Sequence, residues 1–442
     1  MGPQVVPVAS DPTVPPEADV VIVGGGIIGT TSALYLAERG LKVVLCEKGH
    51  IAGEQSSRNW GWCRQAKRDP REFELIREAL RLWRGMDAHI GAATGFTTTG
   101  ILFAANDAKK EASFESWVKE AAGAGIKSEM LSGAGIARVM QGDSTPPKAA
   151  LWCDSDGRAE PQKAAPAIAE AARRKGAVIL TDCAVRGVET GGGRVIAAVT
   201  ERGRIATSNI VVAGGAWTRR ILKDVGIDLP QLKVRASVLR TSPVPGGPLP
   251  ALWDHDFALR RREDGGYTIA NGHVNVVPIV PDSFRFCFDF LPALQMEFAS
   301  LRLRLGARFL TEWQEGALRP FDRPSVYEAA RVLDPAPDQG YLDQAFAALK
   351  ARFPAFVDAR IVQSWAGFID ATPDAVPVIS PVEKVSGLVV ATGFSGHGFG
   401  IGPGAGHLVA DLVTGAAPIA DPHPYRLSRF FDGSRPRPMA GL

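Results

Sequence analysis

Cysteine is scarce and unpatterned in this 442-residue chain. The five cysteines, at positions 46, 63, 153, 183 and 287, form no C-x-x-C pair and no cluster with histidine. That spacing excludes a redox dithiol motif and a zinc site, and the expectation is no metal and a reducing compartment. Charge of one sign is also lacking. Lys and Arg number 50 against 47 Asp and Glu, a formal net charge of +3. The basic stretches, RRRED at 260–264 and Arg302, Arg304 and Arg308, are mixed with acids or spaced along one segment. They read as solvated faces, so no nucleic-acid partner is expected. No apolar run reaches membrane-span length, because VVIVGGGIIGTTSALYLA is short and broken by Gly, Ser and Thr. The start, MGPQVVPVASDPTVPPEA, has neither a basic beginning nor an apolar core, so residues 1–17 are expected to form a disordered, Pro-rich leader. A mean hydropathy of +0.01 fits a soluble, enzyme-sized protein. The expected location is cytoplasmic, with peripheral attachment at the inner membrane left open.

What the chain does have is glycine, placed with purpose. ADVVIVGGGIIGTTSALYLAERGLKVVLCEK holds a strand, a glycine turn, a helix and a second strand. The motif is Gly24-x-Gly26-x-x-Gly29, with Ile28 inside it and Glu47 at the tip of the second strand. Two glycines permit a tight turn against a pyrophosphate, the third permits close helix–strand packing, and an acid at that tip binds ribose hydroxyls. Alone the motif is weak; with strand, helix and acid all in register it predicts a dinucleotide site, NAD or FAD. A second loop, at Gly393–Gly406, has seven glycines in fourteen residues and follows an apolar run.

The segment after Glu47 and Lys48 favours a flavin. Gln55, Ser56, Ser57, Arg58 and Asn59 precede Trp60-Gly61-Trp62. Hydroxyl, amide and guanidinium groups suit a long polar ligand, and indoles suit the wall of a flat ring. The bland reading is a surface loop with two core tryptophans. From Asp69 a helix is predicted, with Asp as N-cap, Pro in the first turn and Phe73, Ile76, Leu80 and Trp83 on one face. Further along, Val185 opens a strand meander, and a buried strand ends at Ala213-Gly214-Gly215-Ala216-Trp217. Residues 267–290 read as strands with Pro breaks, followed by an Arg- and Leu-rich helix over 301–310. The predicted class is α/β with an α+β substrate part: a discontinuous Rossmann-like FAD-binding domain (18–95, 150–225, 356–442) and an antiparallel-sheet substrate-binding domain (96–149, 226–355).

Taken together, the glycine motif, Glu47, SSRN at 56–59, AGG at 213–215 and the ending TPDAVPVIS…GLVVATGFSGHGFGIGPGAG resemble the D-amino-acid oxidase-type family of FAD amine oxidoreductases. The chain looks most similar there to bacterial L-amino acid deaminases and to opine or hydroxyproline oxidase subunits. The resemblance implies FAD and oxidation of a C–N bond. It also implies that the second loop closes over the flavin, with Gly393, Phe394, Gly396, His397, Gly398, Phe399 and Gly400 at the ring and Gly367 nearby. Many members place an arginine in the C-terminal motifs to grip a substrate carboxylate, whereas AGFIDATPD and GHGFGIG contain none. Where the deaminases carry a pocket arginine, YTIANGHVN offers Asn271 and His273. The clamp is therefore sought at Arg64, Arg285 or Arg331, with Gln65 a further substrate contact, or the substrate lacks a standard carboxylate. The covalent flavin-linking cysteine of sarcosine oxidases has no match, so FAD is expected to be non-covalent.

The implied reaction is hydride transfer to flavin N5 from the carbon bearing nitrogen, giving an imine that hydrolyses to an oxo acid and ammonia or amine. His397 and His273 are candidates for proton handling and Trp62 for a pocket wall, while Asp370 and Asp374 read as loop-capping acids. The electron acceptor is left as O2, a quinone or a partner subunit. The alternative is a flavoprotein subunit of a multi-subunit opine- or hydroxyproline-type dehydrogenase, inactive or weakly active alone.

Overall fold

Val20–Val23 is a four-residue strand with no polar side chain, and all of it is buried. Such a strand must be covered on both faces. Its alternation divides it between two cores: Val20 and Ile22 join Leu34, Ala165 and Leu408, and Val21 and Val23 join Val188, Val195 and Ala198. The computed structural model describes residues 2–317, 320–434 and 436–439. In it this strand lies inside a six-stranded sheet, ordered 378–381, 388–392, 210–212, 20–23, 43–46, 178–180. All neighbours are parallel except the edge strand Val378–Pro381. Helices Ile27–Glu38, Phe73–Ile90, Pro161–Arg174 and Gly398–Thr414 cover one face. The antiparallel meander of 185–191, 194–200 and 203–206 covers the other.

A second, ten-stranded sheet forms the other half, with Leu232–Thr241 near its middle. Ile361–Ala371 pairs antiparallel along nearly the whole of that strand, from Leu232↔Ala371 to Thr241↔Ile361. It also carries the chain back toward the first sheet. Residues 150–153 of the strand Ala149–Cys153, and Ile361–Ala371, expected in the cofactor part, therefore belong to the large sheet.

Two glycine contacts fix the nucleotide-side layer. Gly24 has φ +108°, and a Cβ on Gly29 would stand 1.9 Å from the Gly24 carbonyl oxygen. Bare backbone at both positions lets the first helix start directly on the strand. The glycine-rich C-terminal run does two jobs. Its first residues form a loop; from Gly398 it is a helix whose glycine face packs on other helices. A Cβ on Gly406 would lie 2.2 Å from Thr31 Oγ1, and Thr31 Oγ1 donates to the Gly402 carbonyl at 3.1 Å.

Three other expectations are corrected. The leader is not disordered: Val6 N–H donates to Gln162 O at 3.1 Å and Asp11 N–H to Ile179 O at 2.8 Å, so it runs along the first domain. Gln55–Arg58 is a short helix rather than a loop. Leu301–Leu305 is a strand, parallel to Asn275–Ile279, and the helix is Ala307–Glu315. Around it Phe284, Phe288, Met296, Phe298, Leu305 and Trp313 are exposed. No helix among the described residues is long and apolar enough to cross a membrane.

Gly406→Val is expected to lower stability by about 1–3 kcal/mol through overpacking against Thr31. Gly85→Ala, in open space within the Phe73–Ile90 helix, is expected to raise it by about 0.5–1 kcal/mol. Thermal or denaturant unfolding of the two variants checks the contrast.

Candidate active site

In open parallel sheets ligands bind at the carboxyl ends of the strands. Here Gly24 follows one strand, Glu47 a second and Ala213–Gly214 a third, and all four residues line a single cleft with about 1130 Å³ of empty space. Glu47 stands at one end. Its Oε2 accepts from Gly25 N–H at 2.7 Å and its Oε1 from Gly49 N–H at 2.8 Å, which fixes the carboxylate while leaving lone pairs unused. Burial pushes its pKa up, against the pull of Lys48 and the two amides. Lys48 bridges Glu54 at 2.6 Å and the carbonyls of Ala330 and Arg331.

Gly26 caps the first helix, and Ser56 Oγ accepts from Ile27 N–H at 2.9 Å. At the other end lie Phe394, Gly396, Gly398 and Phe399. This loop turns sharply: Gly393, Ser395 and Gly396 all have positive φ, +70°, +47° and +85°. Asp370 pins it, accepting from Gly393 N–H at 2.7 Å and from Thr392 Oγ1 at 3.1 Å. The two helices that begin at the cleft, Ile27–Glu38 and Gly398–Thr414, have no acid in their first turns. Both positive ends therefore face one elongated space. Gln55 Oε1, buried and without a partner, belongs to a residue lining both this cleft and the next. Bare glycine, two helix N-termini and an unused amide oxygen suit a phosphate-bearing ligand with a polar ring edge.

The second cavity, about 930 Å³, shares Gln55, Asn59, Gly396 and Phe399 with the first. Trp60 and Trp62 meet edge-to-face at 4.9 Å on its wall. Val234, Val238, Trp253 and Ile369 add apolar surface, and Asn271 and Asn275 add amides. Three arginines line it: Arg58 is paired with Asp334 at 2.6 Å, whereas Arg64 and Arg68 form no salt bridge among the described residues. Arg64 lies over the rings of Phe103, 5.1 Å away, and Trp253, 6.0 Å away, and hydrogen-bonds Ala66 O. Arg68 Nε and Nη1 have no hydrogen-bond partner. Burial lowers both arginine pKa values, and for Arg64 repulsion from Arg68 adds to this. Asp156 holds the turn between them, accepting from Gln65 N–H and Ala66 N–H at 2.8 and 3.0 Å.

The structure thus brings Gly24, Gly26, Ile28, Glu47, Lys48, Gln55, Ser56, Asn59, Val185, Ala213, Gly214, Trp217 and the 394–399 loop around one cleft, and Trp60, Trp62, His397 and Asn271 around the next. Other candidates support rather than line the cleft. Gly29 packs on Gly24 and Gly61 on Ala159 O. A Cβ on Gly393 would meet Thr372, one on Gly400 the Trp62 carbonyl and one on Gly367 the Gln55 amide. Ser57 O accepts from Gln162. Arg58 lines only the second cavity and spends its guanidinium on Asp334 and Ala366 O, at 2.6 and 2.8 Å.

Four substrate candidates fall outside the second cavity. Arg285 faces Asp228 at 3.4 Å. Arg331 is engaged by Glu201 and donates to Lys48 O at 2.8 Å. Gln65 donates to Ser155 Oγ at 2.7 Å. His273 stacks on His255 at 3.9 Å with its Nδ1 on the His255 carbonyl. Arg68, Glu72 and Trp253 were not singled out from the sequence; the i, i+4 spacing of Arg64 and Arg68 was the available signal. Asp370 and Asp374 do cap loops, Asp374 through Arg429 at 3.1 Å. No cluster of three or more metal-ligating side chains occurs among the described residues.

A cleft of this form, with a walled cavity at its ring end, defines an FAD-dependent oxidoreductase. The chain belongs to the DAO family, described as FAD dependent oxidoreductase, whose profile matches residues 19–412. Its fold is similar to L-amino acid deaminase from Proteus myxofaciens, solved with anthranilate (TM-score 0.93, 35% identity, 97% of each chain), and to that of Proteus vulgaris (0.92, 34%, 96% of this chain and 100% of the other). Glycine oxidase of Pseudomonas putida is 24% identical over 92% of this chain and 97% of its own length. Mitochondrial sarcosine dehydrogenase of Mus musculus is 24% identical over 97% of this chain, which spans 43% of that longer protein.

The residues present fit FAD, and relatives of the family are flavin-dependent oxidases and deaminases of CH–NH or CH–NH2 groups. Among the described residues Cys46 is the only cysteine lining the cofactor cleft. The hydrogen bond its S–H donates to Cys183, together with burial, raises its thiol pKa, which keeps it a poor nucleophile for a covalent link. Glu47→Gln is expected to weaken FAD retention on the order of tenfold or more, since a charge-assisted acceptor is worth about 1.5–3 kcal/mol. Equilibrium dialysis followed by flavin absorbance, with far-UV dichroism confirming the fold, checks this.

Proposed function

We propose that the chain oxidises the C–N bond of an amino acid carrying an apolar or aromatic side chain, yielding an imine that hydrolyses to an oxo acid and ammonia or amine. The observation that carries this reading is the pair of buried arginines, Arg64 and Arg68, in a cavity whose walls include three indoles and the aliphatic side chains of Val234, Val238 and Ile369. A guanidinium group left unpartnered in such a place suits a carboxylate, because low local dielectric strengthens the pair. The family's amino-acid-handling members support the same substrate class.

FAD, when bound, supplies the two-electron acceptor. The chain's own residues bind and orient. Arg64 and Arg68 hold the substrate carboxylate. Trp60, Trp62, Val234, Val238 and Ile369 enclose the side chain and exclude water. The 394–399 segment, pinned by Asp370, lies at the boundary between the two cavities and shapes it. Removing water there disfavours a charged ammonium group and so favours the neutral amine that oxidation requires. The scarcity of patterned cysteine supports a cytoplasmic location.

Anaerobic addition of amino acids of both configurations, opines and secondary amines to the purified holoprotein tests the reading through loss of flavin absorbance. Bleaching by apolar amino acids is expected, with Arg64→Met and Arg68→Met each raising the apparent Kd on the order of a hundredfold, as for a lost charged pair. Air or a soluble quinone analogue added afterwards identifies the acceptor. A flavin-loaded protein that no amine bleaches would favour the subunit reading instead.

A further inference from the structure

One group at the inner end of the substrate cavity is used by none of this. Glu72 closes the 3-10 turn Pro70–Glu72 ahead of the Phe73–Ile90 helix, and its side chain is 0% exposed. Neither carboxylate oxygen has a hydrogen-bond partner among the described residues. A wholly buried carboxylate without donors is costly and calls for an explanation. His397, the N-cap of the Gly398–Thr414 helix, faces it with Nδ1 at 3.6 Å from Glu72 Oε2, and that nitrogen is also unpartnered. Arg68, with its own unused Nε and Nη1, completes the set. Arg68 and His397 both line the cavity, so the three groups form a chain leading from it to Glu72.

We propose that Glu72 is a positioning residue for His397, and that the pair takes the proton the substrate's ammonium group must lose before oxidation, armed by the substrate's own carboxylate on Arg64 and Arg68. The proposal rests on the carboxylate reading given above. In the step, one N–H bond of the ammonium breaks, its electron pair stays on nitrogen, and the proton passes to His397 Nε2. The products are a neutral amine and an imidazolium whose Nδ1–H points at Glu72. This is the arrangement of a base oriented by a third group, with a contact that tightens only in the complex.

The arming follows from the charges around the ring. From the 64–72 segment Arg64, Arg68 and Glu72 face it. Asp156 stands behind the two arginines, already holding two amides. Asp69 is paired with Arg71 at 2.7 Å. Tyr425 lies against Glu72 from the C-terminal segment, its hydroxyl donating to Arg71 O at 3.0 Å. The helix that His397 caps has no titratable side chain before His407. Without substrate, burial first, and then repulsion by Arg68 and Arg64, hold the imidazole down to about 4 against the opposing pull of Glu72. A carboxylate on the arginines cancels their repulsion and leaves Glu72 as the dominant neighbour. Imidazole basicity then rises at the moment an ammonium arrives beside it.

The test uses the FAD-loaded protein and benzoate, a carboxylate with no amine to oxidise. Proton uptake on binding is read with a pH indicator in weak buffer, at pH values where benzoate stays ionised. A bound carboxylate that raises the His397 pKa must draw in a proton. Uptake approaching one proton, with benzoate affinity rising up to tenfold per pH unit as pH falls from 7 toward 5, is the expected result. Glu72→Gln and His397→Asn are each expected to abolish the uptake, and Glu72→Asp to restore part of it. In stopped-flow reduction by substrate, Glu72→Gln is expected to move the rising limb of the pH–rate profile and to leave substrate Kd within about threefold. Should Glu72→Gln fail to fold, His397→Asn and the wild-type uptake decide the matter. Benzoate binding to wild type without proton uptake, or an unchanged pH profile in a folded Glu72→Gln protein, overturns the relay and leaves the carboxylate clamp standing. Failure of benzoate to bind overturns both.

Discussion

Everything at the active site depends on the approach of the last long helix to the first. Gly406 sits where a side chain would strike Thr31, whose hydroxyl, 2.7 Å from the Ile27 carbonyl of its own helix, also lies 3.1 Å from the Gly402 carbonyl. Close approach of these two backbones aims two helix N-termini, 371 residues apart in sequence, into the same cleft. An isolated helix dipole is worth little in water, but two converging on a recessed space form a preset anion site. The sheet beneath makes this possible, since strands 20–23 and 388–392, both parallel to strand 210–212 between them, carry the two glycine turns to the same edge.

The second constraint is electrostatic. Besides Arg58, which Asp334 pairs, two arginines each under a tenth exposed share one recessed cavity, and burial disfavours both charges. Their turn is held by Asp156, whose own pKa burial raises to about 6, so the local charge is only partly offset. A cavity in that condition favours an anion of fitting shape over water. Affinity and orientation then arise from one interaction rather than from many weak ones.

How legible this was in the sequence varied with the kind of signal. The strand–glycine–helix–acid pattern at 19–47 could be read because each residue type has a single steric or electrostatic reason for its place. The 394–399 loop was readable for the same reason. The C-terminal half of that glycine run was not, because glycine at a helix–helix contact looks like glycine in a loop until the partner helix is known. Arg285 and Arg331 looked available as clamps because sequence does not show that Asp228 and Glu201 already hold them. Arg68 and Glu72 went unnoticed in KRDPRE, a stretch with the composition of a solvated surface. Only the packing of Trp117 over the Arg68 carbonyl and of Tyr425 over Arg71 turns it inward.

That inward turn has a consequence for chemistry. In this chain the cations facing the substrate lie on the same short segment, 64–72, as the buried carboxylate facing His397. A clamp on a distant strand would bind the substrate's acid group without altering the imidazole. Here charge neutralisation at Arg64 and Arg68 would be felt by His397, whose basicity both arginines depress, through a medium too dry to screen it. Binding and proton removal are thereby coupled by Coulomb interaction alone, with no moving part required. A substrate that lacks the carboxylate would lose more than affinity: it would meet an imidazole still held in its weakly basic form. Discrimination would therefore appear in the rate of amine deprotonation as well as in Kd, which gives the site selectivity beyond what its two arginines achieve by attraction.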